Sequence, residues 1–331
     1  MTNPVNMVLR RLDAAQQRWR PASFVFAVLK KYGDDQAGAL AALLTYYGFL
    51  SLLPLLLLLV TVTGLLAGSN AHIANDVRNS ALGQFPVIGT QLRHDVHGLS
   101  AQSGVALAIA ILGLLWGSTG ASQAAQHAMA EVWNIPYVER PGFVPRLVRG
   151  LLILVLAAVF LVASSALAGV ATFGGGPGPA ARVGSGLASV VIDSVLFLAA
   201  YRILTPHKPP TVRDLLPGSV LAGVAWAVLQ GAGTYLVGHQ LRHSNEVYGF
   251  FGLVLGLLWW LYLTAQVVLY AAEVNVVRHH HLWPRSLVQP PLTAADRRVL
   301  ASYATEQQRR PEEDVSVRFT DDEERRDRVA P

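Results

Sequence analysis

The sequence predicts an all-α, polytopic membrane protein with six transmembrane helices. Two observations carry that fold class: six long apolar stretches, and a one-sided distribution of the basic residues between them. The stretches run at 37–67, 104–123, 147–170, 183–204, 215–237 and 248–277. A hydrocarbon core about 30 Å thick needs roughly 20 apolar residues of helix. Unpaired backbone groups inside it cost several kcal/mol each, so stretches of this length must be helical. Of the 26 lysines and arginines, 22 fall in the N-terminal segment, the second and fourth loops and the C-terminal segment. The other loops hold only 4, namely Arg78, Arg93, Arg182 and Arg242. Setting aside everything beyond Arg285 leaves 14 against 4. Basic loops stay on the cytoplasmic side, which places both termini in the cytoplasm; the expected home is a bacterial inner (plasma) membrane.

The elements follow in order. Residues 1–36 read as a cytoplasmic lead-in, in which Phe24-Val25-Phe26-Ala27-Val28-Leu29 followed by Lys30-Lys31 predicts a short amphipathic helix at the membrane interface. The membrane domain occupies 37–278. Its first span contains Pro54, which removes a backbone donor and bends the helix. The second repeats small residues every fourth position at Gly113, Gly117, Ala121 and Ala125, a row that lets a neighbouring helix approach closely. The outer loop 68–103 carries apolar residues at spacings that suggest short surface helices, and Gly174–Pro179 reads as a flexible turn. Residues 279–331 alternate acidic and basic groups with few apolar ones, which predicts a cytoplasmic tail, largely disordered.

Composition narrows the function classes. The chain is 52% hydrophobic and 14% charged over 331 residues, so the spans and their loops leave no room for a separate soluble catalytic domain. The basic balance serves topology and anionic lipid headgroups rather than nucleic acid. The absence of cysteine removes disulfide and thiol chemistry.

Three motifs resemble the YihY/virulence factor BrkB family. They are Ala39–Pro54 (ALAALLTYYGFLSLLP) in the first span, Asp214-Leu215-Leu216-Pro217-Gly218-Ser219 opening the fifth, and the run from Val247-Tyr248-Gly249 through Trp259-Trp260 to Ala272-Glu273-Val274-Asn275 in the sixth. The resemblance covers residues 37 to 278 and implies six helices with internal termini. It further implies an inner-membrane protein of the kind linked to serum resistance or to envelope lipid and lipopolysaccharide export. An older label for the family is a transfer-RNA-processing ribonuclease.

The residues themselves do not favour that label. Metal-dependent hydrolysis needs clustered carboxylates or histidines, whereas the acidic residues of the membrane domain are scattered. Single-stranded RNA needs a basic groove with stacking aromatics, and Trp133, Tyr137, Arg140 and Arg146 in one loop are thin support. His279-His280-His281 reads as a headgroup-facing run rather than a metal site. No enzyme activity, cofactor, metal or nucleic-acid partner is expected.

The candidate site is instead a polar cavity. Asp193 lies mid-helix in the fourth span, where a charged carboxylate must pair, protonate or face water. The plainer alternative is a protonated packing group. Ser118, Ser122, Gln123, Gln126 and His127 give the second span a polar cytoplasmic half, and Gln266 joins from the sixth. Tyr46, Tyr47 and Ser51 can face the same space from the first, or simply pack. Glu273 and Asn275 end the sixth span, as cavity residues or as a pair pinning helices against Arg202 or Arg278. The expected function is a transporter or lipid-translocation component with membrane lipids as partners and a lipid or amphipathic substrate. The alternative is a scaffold whose polar residues only join helices.

Overall fold

The computed structural model describes residues 4–51, 104–153 with 155, 156 and 159, 179–205, 210–239 and 241–319. Every regular element among them is helical. In chain order these are α1 (Pro4–Arg18), α2 (Arg20–Asp34), α3 (Ala37–Ser51), α4 (Gly104–Val132), α5 (143–153), α6 (Pro179–Leu204), α7 (Val212–His239), α8 (Leu241–His279) and α9 (Ala294–Glu306). The loop 68–103, the glycine-rich turn and the rest of the first and third expected spans lie outside the described residues.

Among the described residues three helices are long and apolar enough to cross a bilayer: Gly186–Leu204, Val212–Gly233 and Val254–His279. They coincide with the fourth, fifth and sixth expected spans. Their apolar side chains face outward in i, i+4 rows, such as Leu187, Val191 and Val195 on α6, and Phe251, Leu255 and Trp259 on α8. That spacing stacks side chains on one helix face, and a hydrocarbon solvent is what such faces require. α7 packs between α6 and α8.

Two boundaries differ from the hydropathy reading. α4 continues from Gln123 to Val132 before Asn134 turns the chain with a left-handed φ of 48°. α7 ends at His239 and α8 begins at Leu241, so the expected loop between these spans is helix instead. In both places the apolar window ends while residues compatible with helix continue. Apolarity measures the membrane, whereas the backbone stops only at a breaker.

Among the described residues the buried core gathers at one end of the bundle. Ala27 and Val28 of α2, Ala37 and Ala41 of α3, Ala128 and Val132 of α4, Leu215 of α7 and Leu269, Ala272 and Val276 of α8 meet there. The amphipathic lead-in exists, but α2 turns its Ala27–Val28–Lys31 face onto the protein and packs against α8. The tail departs further from the disorder that its composition suggests. Residues 280–319 are ordered chain, and α9 buries Ala295 and Val299 in the same core. Composition misleads here because α9 is held by other segments. Thr293 and Asp296 form a reciprocal capping box. The Asp296 carboxylate, fully buried, also accepts from Arg285 Nε at 2.9 Å, Ser286 Oγ at 2.7 Å and Lys30 Nζ at 3.1 Å. Burial pushes this carboxyl up, but the bonds from Ser286, Arg285 and Thr293 outweigh it and hold it far below the usual carboxylate range.

Candidate functional site

At the core end of the bundle α2, α4, α8 and α9 converge on a buried ionic cluster. Lys31 extends the apolar stripe of Ala27 and Val28 into the protein, and its side chain is 0% exposed. Its Nζ donates to Asp35 Oδ2 at 2.5 Å and to the carbonyl of Val132, the last residue of α4, at 3.0 Å. Glu273 Oε2 lies 3.7 Å away, also 0% exposed. The Tyr303 hydroxyl of α9 donates to Asp35 Oδ1 at 2.5 Å. Burial alone would lower the Lys31 pKa, but the bond to Asp35 and the acidic groups around the ammonium outweigh it and raise it, so Lys31 stays charged. Burial and the Asp35 carboxylate hold the Tyr303 phenol far above its ordinary value.

Asp35 also opens onto a cleft of about 410 Å³, lined by residues that include Asp34, Gln36, His127, Glu131, Asn134, Tyr137, Tyr303 and Glu306. Two lining residues, Gln36 and Asn134, take positive φ values of 51° and 48°, which side-chain-bearing residues adopt at a cost. Arg140 braces one wall. Its Nη1 meets Glu131 at 2.9 Å, its Nη2 meets Glu306 at 2.7 Å, and its guanidinium lies 3.9 Å from the Tyr137 ring centroid. Asn134 Nδ2 donates to Glu306 Oε2 at 2.9 Å. Burial, with Glu131 alongside, pushes the Glu306 carboxyl up to about 7.

Of the sequence candidates, the structure brings His127 to the cleft wall and Glu273 to the cluster behind it. Gln266 sits beside the Tyr32 hydroxyl, and the Tyr32 ring stacks on Tyr270 with centroids 3.8 Å apart. Asn275 pins helices, although not to an arginine. It accepts from the backbone N–H of Gly218 at 2.7 Å. Pro217 lies inside α7, and a Cβ on Gly218 would come within 2.5 Å of Asn275 Nδ2 and into the Ala271 carbonyl. Two of the family-like motifs therefore meet at one contact.

The other candidates lie elsewhere. Gln126 Nε2 donates to Ser122 Oγ at 3.1 Å and to the Arg146 carbonyl at 3.1 Å, tying α4 to the start of α5. Gln123 is exposed. Tyr47 packs on Gly120, where an added Cβ would lie 2.6 Å from its ring, and Tyr46 meets Tyr47 edge-on. Ser51 bonds to the Gly48 carbonyl of its own helix at 2.8 Å. The side chain of Ser118 lies outside the described residues. Asp193 is buried on α6, away from the cleft lining.

Lys31, Asp35, Glu131, Arg140, Tyr303 and Glu306 are absent from the sequence candidates. A signal existed for Lys31, which falls in helical register with Ala27 and Val28 and four residues before Asp35. The Thr293-x-x-Asp296 capping signature similarly announces α9.

Comparison with known proteins fits this architecture. The chain is 24% identical over 271 residues to YfkH of Bacillus subtilis, a protein named ribonuclease-like, covering 78% of this chain and 95% of that one. It is 21% identical over 280 residues to the inner membrane protein YhjD of Escherichia coli, covering 77% and 81%. An uncharacterized protein of Dickeya dadantii is 25% identical over 261 residues, covering 73% and 79%. No solved structure matches. The virulence factor BrkB family matches residues 28–293, from within α2 to the threshold of α9. With its outward apolar helices and its match across most of the length, the chain is a membrane protein that belongs to the virulence factor BrkB family.

Proposed function

We propose that the protein is a transport component that moves a polar or amphipathic solute, of lipid type, across the membrane, with the cleft as its inward mouth. One observation carries this reading: a cleft of about 410 Å³ at the end of an apolar helical bundle, backed by a buried ionic cluster. A protein that only needed to join helices gains nothing from leaving such a space among charged side chains, each costly to desolvate. The basic bias of the loops assigns this end to the cytoplasm. Among the described residues four carboxyl groups line the cleft, each already beside a cation: Asp34 by Arg285, Asp35 by Lys31, and Glu131 and Glu306 by Arg140. Such paired charges suit a zwitterionic headgroup, with its own amine and phosphate, better than a purely anionic one.

Native mass spectrometry of the purified protein with equal amounts of phosphatidylethanolamine, phosphatidylglycerol and cardiolipin tests the reading. Selective retention of phosphatidylethanolamine, weakened by Glu131→Gln, is expected. Equal retention of all three, unchanged by the substitution, would contradict it. The scaffold reading has its own support in the Asn275–Gly218 and Gln126–Ser122–Arg146 ties. It predicts that the cleft variant changes neither lipid binding nor any envelope phenotype.

A further inference from the structure

Lys31, Asp35 and Glu273 do not balance. Two carboxyl groups face one ammonium, and all three side chains are at most 1% exposed. An uncompensated charge buried this deeply costs several kcal/mol, so a group in such a cluster gives up its charge instead. The hydrogen bonds show which one. Asp35 accepts from Lys31 and from Tyr303, each at 2.5 Å, and rests in the anionic form. Glu273 has only the 3.7 Å approach of Lys31, and neither of its oxygens has a hydrogen-bond partner. Yet Glu273 and Asp35 crowd the same ammonium, their nearest oxygens 3.7 and 2.5 Å from Lys31 Nζ. Two carboxylates side by side repel, whereas a carboxylic acid beside a carboxylate donates a hydrogen bond. One proton on Glu273 cures the charge excess and the missing bond together.

We propose that Lys31, Asp35 and Glu273 form a proton-binding site in which Glu273 carries the proton and exchanges it with the cleft through Asp35. The path is short, because Asp35 lines the cleft. The Glu273 O–H bond breaks as the proton passes to the Asp35 carboxylate, which releases it to water; charge moves with the proton and nothing is oxidised. Groups from each packed element surround the site. α2 supplies Tyr32, with Asp34 at the rim paired to Arg285 at 2.9 Å. α4 supplies the Val132 carbonyl and, on the cleft wall, Glu131. α8 supplies Tyr270, with His279 and His280 at its end. α9 supplies Tyr303 and Glu306, and Asp214 at the start of α7 lies 3.2 Å from His279. None gives Glu273 a second cation: Arg285 is held by Asp34 and Asp296, and Arg140 by Glu131 and Glu306. Among the described residues no three histidine, cysteine, aspartate or glutamate side chains gather to hold a metal ion. Resting on the transport reading, the site makes the proton the coupling ion of the cycle.

Infrared difference spectroscopy of the full-length protein in lipid nanodiscs tests the site without any substrate. The wild type at about pH 9, where Glu306 is ionised, is expected to show a protonated-carboxyl C=O band that shifts in D₂O and is lost in Glu273→Gln. The band should persist in Asp193→Asn and Glu306→Gln, and Tyr303→Phe should move its frequency by altering the donor to Asp35. The Tyr303→Phe shift reads the site even where Glu273→Gln fails to fold. Absence of the band in the wild type would overturn the proposal, as would its survival in Glu273→Gln or its loss in Glu306→Gln. Coupling is read separately in vesicles of phosphatidylethanolamine: lipid movement indifferent to a pH gradient, with the band intact, would overturn the coupling role and leave the proton site standing.

Discussion

Gly218→Ala is the sharpest test of the packing that positions this site. In the structure a Cβ at this position would lie 2.6 Å from Asn275 Cγ and 2.5 Å from Nδ2. Ordinary carbon contacts sit near 3.5 Å, so α7 and α8 would have to separate by about 1 Å where backbone meets backbone. Neither side can rotate away, because Ala271 presents its carbonyl and Asn275 is held by the Gly218 N–H. Overpacking of a close-packed interior costs about 1–3 kcal/mol, and loss of the buried amide bond adds roughly 1 kcal/mol. The expected destabilisation is therefore about 2–4 kcal/mol, read as equilibrium unfolding in mild detergent. Gly231→Ala is the internal control. It sits in the same helix with nothing within 4 Å of the added carbon, and the helix propensity gain of about 0.5–1 kcal/mol should make it neutral to slightly stabilising. A Gly218→Ala protein within about 0.5 kcal/mol of wild type would refute the close approach of α7 and α8.

Asp296→Asn should cost about 3 kcal/mol, at the lower end for breaking a buried charged network because Arg285 keeps Asp34. The same carboxyl sets an acid limb. Its pKa lies below the unfolded value of about 3.9, so its stabilisation is complete above that pH and is lost as pH falls toward the folded value; Asp296→Asn should flatten that limb in acid-unfolding curves. Truncation after Pro291 removes α9 with Asp296, Val299 and Tyr303, and should lower the amount of folded protein in the membrane; unchanged levels and thermal stability would show that α9 is dispensable. Asp193→Asn should fold like wild type. Full complementation of a deletion by both the Asn and Leu variants at normal expression would remove Asp193 from any transport role.

Three of the expected membrane helices were legible in the sequence because hydropathy is a local property. The spans in α6, α7 and α8 fall close to where their apolar stretches lie. Their ends were less legible, since the polar stretches after Gln123 and around 238–247 end the apolar window without ending the helix. Glu273, Asn275, His127 and Gln266 stand out as polar groups in or beside apolar helices, which is why sequence reasoning reaches them. Lys31 is read as one more topology charge because nothing local reveals that α8 will bury it. Asp35, Tyr303 and Glu306 are joined to their partners across large sequence separations, such as the 268 residues between Asp35 and Tyr303. No window along the chain contains that contact. The helix within the tail was not legible for a related reason: α9 has little core of its own and is held by Lys30, Arg285 and Ser286 from outside its length, while residues 320–331 lie outside the described residues.

The most direct test of the inward-facing cleft uses the natural absence of cysteine. Ala39→Cys places a single thiol on the cleft wall, and Leu112→Cys places one on an exposed apolar face of α4. A membrane-impermeant maleimide applied to inside-out vesicles should label the Ala39 variant and spare the Leu112 variant, and neither should react in right-side-out vesicles. Labelling of Ala39→Cys from the outer face, or from neither face in folded protein, would contradict a water-filled mouth open to the cytoplasm.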